Sequence, residues 1–185
     1  RDQPRSRWLG YVYKRQPTSN YNYEDKTVRP TIDAIWNTMY NNVANVNSIL
    51  KDIKSRKDLF INNEGDVLEA EALAMRAFMH FDLLRMFAPA YQDNEDRIAI
   101  PYVETYERVR YPHLPAKEIM EKVLKDLNEA EKILEASDDP ILKEVICTYS
   151  GKNDFMANRQ YRFNYWAVNA LKASCLLYTS DAADE

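Results

Sequence analysis

The sequence predicts an all-α fold made of antiparallel helical hairpins of the tetratricopeptide-repeat type, truncated in this chain. Apolar residues recur every three or four positions in four segments, which is the spacing of one helix face. No segment shows a convincing strand pattern. The 185 residues also include only three glycines. Glycine-rich phosphate loops, dinucleotide-binding turns and β-sandwiches need several positive φ angles, so this composition argues against all three.

The first helix is predicted over Thr31–Ile53, directly after Pro30, a residue tolerated at a helix start. Its apolar stripe consists of Ile32, Ile35, Trp36, Met39, Tyr40, Val43, Val46, Ile49, Leu50 and Ile53. Asparagines and Gly65 then indicate a turn.

The second helix is predicted over Asp66–Phe87, with Asp66 as its N-cap and Pro89 ending it. Apolar residues surround most of its circumference, which predicts a central helix covered on more than one side. The small residues Ala70, Ala74 and Ala77 would let a neighbouring helix approach closely.

A third helix is predicted over Pro115–Ala136, with Pro115 at its first position. A fourth follows Asn164, its predicted N-cap. Residues Ala90–Leu114 are interpreted as an ordered, tyrosine-rich loop, and Ile141–Arg162 as a second irregular stretch. No strict sequence repeat accompanies the four helices.

Both ends of the chain resemble translated sequencing adapters. The segments VYKRQ (12–16) and CLLYT (175–179) can be encoded by opposite strands of one DNA duplex. CLLYTSDAADE resembles a translated transposon adapter, and SRWLGYVYKRQ resembles its partner. We therefore expect Arg1–Gln16 and Cys175–Glu185 to be adapter-derived, and Pro17–Ser174 to be the N-terminal part of a longer helical domain.

Composition and motifs point away from nucleic-acid binding and from catalysis. The net charge is −4 and no block of basic residues is present, whereas phosphate contacts need clustered lysine and arginine. No P-loop, GxSxG, HExxH or CxxC motif occurs. We accordingly predict no catalytic, cofactor-binding or metal-binding residue, and we interpret the isolated His80 as a packed imidazole.

Charged residues on the second helix have a structural interpretation. A charge in an apolar, alanine-rich helix is costly unless it is paired. Glu71 and Arg76 are five residues apart, a poor spacing for a direct pair, so we expect partners on another helix, with Asp126 in the third helix as one candidate. Glycosidase chemistry would need two carboxyl groups facing each other across a cleft. Solvated surface positions are the favoured interpretation of the carboxylates Glu69, Glu71, Glu104 and Glu107.

Tyrosines in the loops are the candidates for a ligand site. An aromatic face matches the apolar C–H face of a sugar ring, and planar polar side chains can bind the hydroxyls. The candidates for glycan binding are Tyr91, Tyr102, Tyr106 and Tyr111, although most loop aromatics serve as anchors to the core.

The order of the motifs resembles that of the SusD/RagB family of outer-membrane lipoproteins. The segments that carry the resemblance are the first-helix positions Tyr40, Val43, Asn47, Ile49 and Leu50, EAEALAMRAFMHFDLLRMFAP (69–89), IAIPYV (98–103), EIMEKVLKDLNEAEKIL (118–134) and FNYWAVNALKA (163–173). The match spans nearly all of Thr31–Ala173.

The resemblance implies a function as well as a fold. It implies a surface-exposed glycan-binding lipoprotein of the Bacteroidota outer membrane, without catalytic activity or cofactor. Its helical hairpins would pack against a TonB-dependent (SusC-like) transporter, and its lipid-bearing cysteine would lie upstream of Pro17. Ligand-contacting residues vary within the family, so none is transferred to this chain.

Two alternatives stay open from the sequence. A helical-repeat scaffold that binds only protein would share the helix pattern, because such arrays present a concave face to a partner. An α-helical glycoside hydrolase would require paired acids in a cleft, and no such pair is marked.

Overall fold

A computed structural model describes residues 16–60, 63–92, 94–137 and 159–180. The chain divides into two compact units, residues 1–41 and 42–185. The elements in chain order are helix α1 (Arg29–Ser55), a 3₁₀ turn (Lys57–Leu59), helix α2 (Glu64–Phe87), strands β1 (Ile98–Pro101) and β2 (His113–Pro115), helix α3 (Ala116–Ala136), a 3₁₀ turn (Arg159–Tyr161) and helix α4 (Tyr165–Ser180).

In the first unit, a turn centred on Asp25 precedes α1. The Asp25 carboxylate accepts hydrogen bonds from the Thr27 backbone N–H at 2.8 Å and from its hydroxyl at 2.6 Å. Helix α1 begins at Arg29, so Pro30 lies inside the first turn, where a missing N–H leaves no helical bond unmade. The predicted helix is confirmed and is longer by two residues at each end.

Helix α2 is the centre of the second unit, as predicted. Helix α3 packs along it, and α4 contacts both α2 and α3. Ala70, Ala74 and Ala77 are completely buried, which places the small residues where helices meet closely. The core of α2 and α3 is formed by Val67, Leu73, Phe81, Leu83, Leu84, Ile119, Met120, Val123, Leu127, Ala130 and Leu134.

The start of α2 differs from the prediction. The helix begins at Glu64 with Asn63 as its N-cap residue, and no side chain caps it. The Asn63 amide instead donates to the Ser137 carbonyl at 2.7 Å. Asp66 is therefore not the cap; its carboxylate accepts from Lys57 Nζ at 2.8 Å within the first turn of the helix.

A short antiparallel ribbon replaces the loop that was predicted over Ala90–Leu114. Strand β1 pairs with β2 in the register Ile98↔Pro115 and Pro101↔His113, with an irregularity between these pairs. Ile100 on β1 is buried. The expectation of no strand was wrong for these residues; both strands contact α3, and β1 also contacts α2.

The last two helices begin close to their predicted starts. Helix α3 starts at Ala116, so Pro115 is its N-cap rather than its first residue. The Asn164 side-chain oxygen accepts the Ala167 N–H at 2.9 Å, which confirms Asn164 as the N-cap of α4. Helix α4 continues to Ser180 without a break at Ser174.

Several predictions fall on residues outside the described ranges. The prediction of adapter-derived ends concerns, in large part, the first fifteen residues and residues 181–185, which lie outside those ranges. Most of the predicted irregular stretch Ile141–Arg162 also lies outside them, and only the 3₁₀ turn Arg159–Tyr161 and Arg162 are described. Within the described ranges, four long helices and one ribbon of three- and four-residue strands confirm the all-α class.

Candidate functional site

A buried ion pair joins α2 to α3. The Arg76 guanidinium donates from Nε to Asp126 Oδ2 at 2.7 Å and from Nη2 to Asp126 Oδ1 at 2.8 Å. Both residues are buried. The parallel two-bond geometry is the strongest that arginine makes with a carboxylate. It confirms the expectation that Arg76 pairs with Asp126 on the third helix.

The remaining Arg76 nitrogen connects this pair to α1 and to the segment after β1. Nη1 donates to Asn47 Oδ1 at 3.0 Å and to the Glu104 carbonyl at 3.2 Å. The Asn47 amide in turn donates to the Val103 carbonyl at 2.9 Å. One guanidinium therefore holds two further elements, and four of its five N–H donors are used.

Tyr102 completes the cluster from the segment after β1. Its hydroxyl donates to Asp126 Oδ2 at 2.6 Å. One ring face stacks on His80 with a centroid separation of 4.0 Å, and Lys122 Nζ lies 5.6 Å from the ring centroid. Burial, reinforced by the Asp126 carboxylate, raises the pKa of Tyr102 well above its usual value. The hydroxyl therefore keeps its proton and acts as a donor.

His80 is neutral and is bonded at both ring nitrogens. Nε2 accepts the Val103 N–H at 3.0 Å, which leaves Nδ1 to carry the proton and donate to the Arg76 carbonyl at 2.9 Å. Burial lowers the pKa of His80 to about 4. The interpretation of His80 as a packed imidazole is confirmed, and both ring nitrogens make hydrogen bonds.

An open groove of about 360 Å³ lies over this cluster. Its floor contains buried residues of α1, α2 and α3. Its walls are formed by exposed residues of α1, α3 and the segment after β1. The lining comprises Asn47, Leu50, Leu73, Arg76 and Asp126 on the floor and Lys51, Lys54, Glu104, Thr105, Tyr106, Glu107, Lys125 and Glu129 on the walls.

The four candidate tyrosines occupy different environments. Tyr102 is only 3% exposed and both faces of its ring are covered, so it serves the core. Tyr91 is half-buried, with its ring centroid 5.8 Å from that of Tyr178. The Tyr111 hydroxyl bonds to the Thr105 side chain. Tyr106 is 53% exposed and lines the groove, so it is the one of the four whose ring is available there.

The sequence interpretation missed the lysines of the groove. Lys51 and Lys54 are on the last turns of α1 and Lys125 is on α3. Each lies on the polar side of a helix whose opposite side is apolar, which made all three resemble ordinary solvated residues. Only the way in which the helices come together brings these polar sides to one groove.

A second buried ion pair ties α2 to the 3₁₀ turn before α4. Arg159 Nη1 lies 2.9 Å from Glu71 Oε1, and Arg162 Nη1 lies 3.6 Å from Glu71 Oε2. Glu69 lies 2.9 Å from Lys57 Nζ. Glu69 and Glu71 are buried, so the prediction of solvated positions was wrong for both, because each has a cation close by. Glu104 and Glu107 are exposed, as predicted.

Other site types have little support in the described part of the chain. No group of three or more histidine, cysteine, aspartate or glutamate residues there could hold a metal ion. None of the helices described is both long enough and apolar enough to span a membrane.

Several solved structures with the same fold carry a SusD description. They include a SusD superfamily protein from Bacteroides thetaiotaomicron (21% identity, TM-score 0.61, covering 79% of this chain and 28% of that one). They also include a SusD-like carbohydrate binding protein from Bacteroides vulgatus (16% identity, TM-score 0.60, covering 80% of this chain and 28% of that one). A third is a SusD-like protein from Bacteroides fragilis (16% identity, TM-score 0.57, covering 91% of this chain and 30% of that one). The chain spans less than a third of the length of each.

The family assignment comes from the sequence itself. No curated protein matches the chain. The SusD-like family model described as "Starch-binding associating with outer membrane" matches residues 5–146, which is most of the sequence. This match includes the Arg76–Asp126 cluster and the groove over it. The chain belongs to the SusD-like family.

Proposed function

We propose that this protein is a non-catalytic glycan-binding subunit of an outer-membrane nutrient uptake complex that works with a TonB-dependent, SusC-like transporter. The observation that carries the proposal is the family match over residues 5–146, whose description combines starch binding with association to the outer membrane. In the full-length protein a lipid anchor would hold this subunit on the cell surface, where polysaccharides are captured before import.

The chemistry of the described residues supports binding rather than hydrolysis. Both nitrogens of His80 are occupied by structural hydrogen bonds, so the ring cannot accept a substrate proton without losing one of them. Glu71 and Glu104 each pair with a basic side chain, Arg159 and Lys122. A glycosidase instead sets two carboxyl groups against each other across a cleft.

The proposal is tested on the full-length protein with starch and a panel of other polysaccharides, by affinity electrophoresis and calorimetry. We expect binding to at least one glycan, with no release of reducing ends during long incubation. Release of reducing ends would overturn the non-catalytic part. Binding to a peptide or protein with no glycan bound would favour the alternative of a protein-interaction scaffold.

The transporter partner is tested separately. The full-length protein, tagged in its native host, is expected to co-purify with a SusC-like TonB-dependent transporter. A tagged outer-membrane lipoprotein of another family is the control. Absence of that transporter from the purified complex, with glycan binding intact, would remove the partner from the proposal.

A further inference from the structure

We infer that the groove over the Arg76–Asp126 cluster binds an acidic oligosaccharide, with the Tyr106 ring against a sugar face and lysines facing uronic-acid carboxylates. This inference rests on the proposed glycan-binding function and adds to it a location and a class of ligand.

The charges on the groove walls favour an anionic ligand. In the part of the chain that the structure describes, Lys51, Lys54 and Lys125 form no ion pair, whereas Glu104 pairs with Lys122 and Asp126 with Arg76. Glu107 and Glu129 are the remaining wall carboxylates. With these two pairs set aside, three ammonium groups and two carboxylates remain, an excess of one positive charge on a chain whose net charge is −4. Such a local reversal of sign attracts a ligand of negative charge.

The floor of the groove has the composition of a sugar site. Leu50 and Leu73 provide an apolar surface beside the polar groups of Asn47 and Arg76. The Arg76 guanidinium has one N–H donor that no acceptor in the described residues uses. Because Asp126 fixes this guanidinium in place, a ligand oxygen would meet a donor that is already oriented.

Size and aromatic content agree with a short glycan segment. The volume of about 360 Å³ is at the lower end of the range for small-ligand pockets, roughly 300–1,000 Å³. Tyr106 is the wall residue with an exposed aromatic ring, and it is followed directly by Glu107. An aromatic face next to planar polar side chains is the arrangement that recognises a pyranose ring.

The test compares two oligosaccharides of equal length on the full-length protein by calorimetry: tetragalacturonate, which is acidic, and maltotetraose, which is neutral. The groove variants are Lys51→Glu, Lys125→Glu and Tyr106→Ala, and the matched control is Lys132→Glu, an exposed lysine two turns further along α3. We expect tetragalacturonate to bind, and each groove variant to weaken it by about tenfold or more: the lysine variants lose a charged contact, and Tyr106→Ala loses the aromatic face against the sugar. The control should stay within about twofold.

The possible outcomes separate this inference from the proposed function. Tetragalacturonate binding that is equal in the groove variants and the control would overturn the location. Binding of maltotetraose alone would overturn the acidic preference and leave the glycan-binding function standing. Failure of both sugars and of every polysaccharide in the panel would overturn the function as well. Melting curves that match the parent protein establish that the exposed-residue variants are folded.

Discussion

At the scale of single residues, Arg76 connects more elements than any other side chain of the cluster. It bonds to Asp126 on α3, to Asn47 on α1 and to the Glu104 carbonyl after β1. Removing one partner of a buried ion pair leaves the other charge without compensation. That loss costs more than the pair itself contributes, since the desolvation of the remaining charge is no longer offset.

We predict that Arg76→Met lowers the free energy of unfolding by about 3–5 kcal/mol, because Asp126 remains buried as an unpaired carboxylate. Urea unfolding of the full-length protein measures the change. In the control, Arg76→Met/Asp126→Leu, no charge stays buried, so at least half of the loss should be recovered. A single variant within about 1 kcal/mol of the parent would show that Asp126 does not depend on Arg76.

His80 predicts a pH dependence of stability. Its pKa falls from 6.5 to about 4 on folding, so between these values the unfolded chain takes up a proton that the folded chain does not. Stability from His80 is therefore complete above about pH 6.5 and is lost as the pH falls toward 4, by about 3 kcal/mol in total. Burial lowers this pKa and the Arg76 charge adds to the shift, whereas the hydrogen bond to the Arg76 carbonyl and the Asp126 and Glu104 carboxylates act against it.

The measurement is urea unfolding at several pH values from 7.5 to 4.5, for the parent and for His80→Gln. Carboxylates also titrate in this range, so the difference between the two proteins isolates the histidine. We expect the variant to show a shallower loss of stability with falling pH. Equal slopes would mean that His80 titrates normally in the folded protein.

Residue pairings could be predicted from the sequence only where an unpaired charge in an apolar helix would be energetically costly. Arg76 on an alanine-rich helix required a partner, and this requirement pointed to Asp126. The partner of Tyr102 could not be predicted in this way, since the sequence of a loop tyrosine is the same whether its hydroxyl binds a buried carboxylate or water. The groove lysines could not be predicted either, because the polar side of one helix does not indicate which other helix it will face.

At the scale of elements, α4 depends on a small set of polar contacts at its start. The Asn164 side chain accepts the Ala167 N–H and donates to the Arg159 carbonyl at 3.1 Å. Arg159 itself pairs with Glu71 on α2. The N-cap of α4 is thus tied to the central helix through one buried arginine.

We predict that Asn164→Ala destabilises α4 by about 1 kcal/mol, the usual cost of losing an N-cap side chain. Hydrogen exchange of Tyr165–Ser180 should accelerate, while α2 and α3 keep their protection. Asn164→Ser, which preserves a capping oxygen and loses the bond to Arg159, should recover most of the effect. Unchanged exchange in the alanine variant would show that tertiary packing alone fixes the start of α4.

Element boundaries followed from the sequence where the signal was periodic, and failed where it was short or non-local. The long stripe on α1 placed that helix within two residues at each end. Strands β1 and β2 have four and three residues and meet across an intervening segment. Neither is long enough to show alternation, and each ends in a proline, which favours a loop interpretation.

At the scale of the whole molecule, the described chain combines a rigid polar cluster with exposed apolar surface. The cluster lies beneath the groove, and its bonds hold the floor in a fixed geometry. The apolar surface lies elsewhere: on α4, Trp166 and Leu177 are 61% and 59% exposed, and Ala170 and Ala173 between them are exposed as well. These four positions share one helix face.

We predict that the 185-residue chain, expressed by itself, self-associates in a concentration-dependent manner. A contiguous apolar helix face in water is an association surface, because burying it against a second copy removes it from solvent. The double variant Trp166→Gln/Leu177→Gln should shift the chain toward monomer, as measured by light scattering after size-exclusion chromatography. Tyr161→Gln, at an exposed aromatic residue before α4, is the control and should change nothing. A parent chain that stays monomeric at high concentration and melts in one sharp, reversible transition would contradict the prediction.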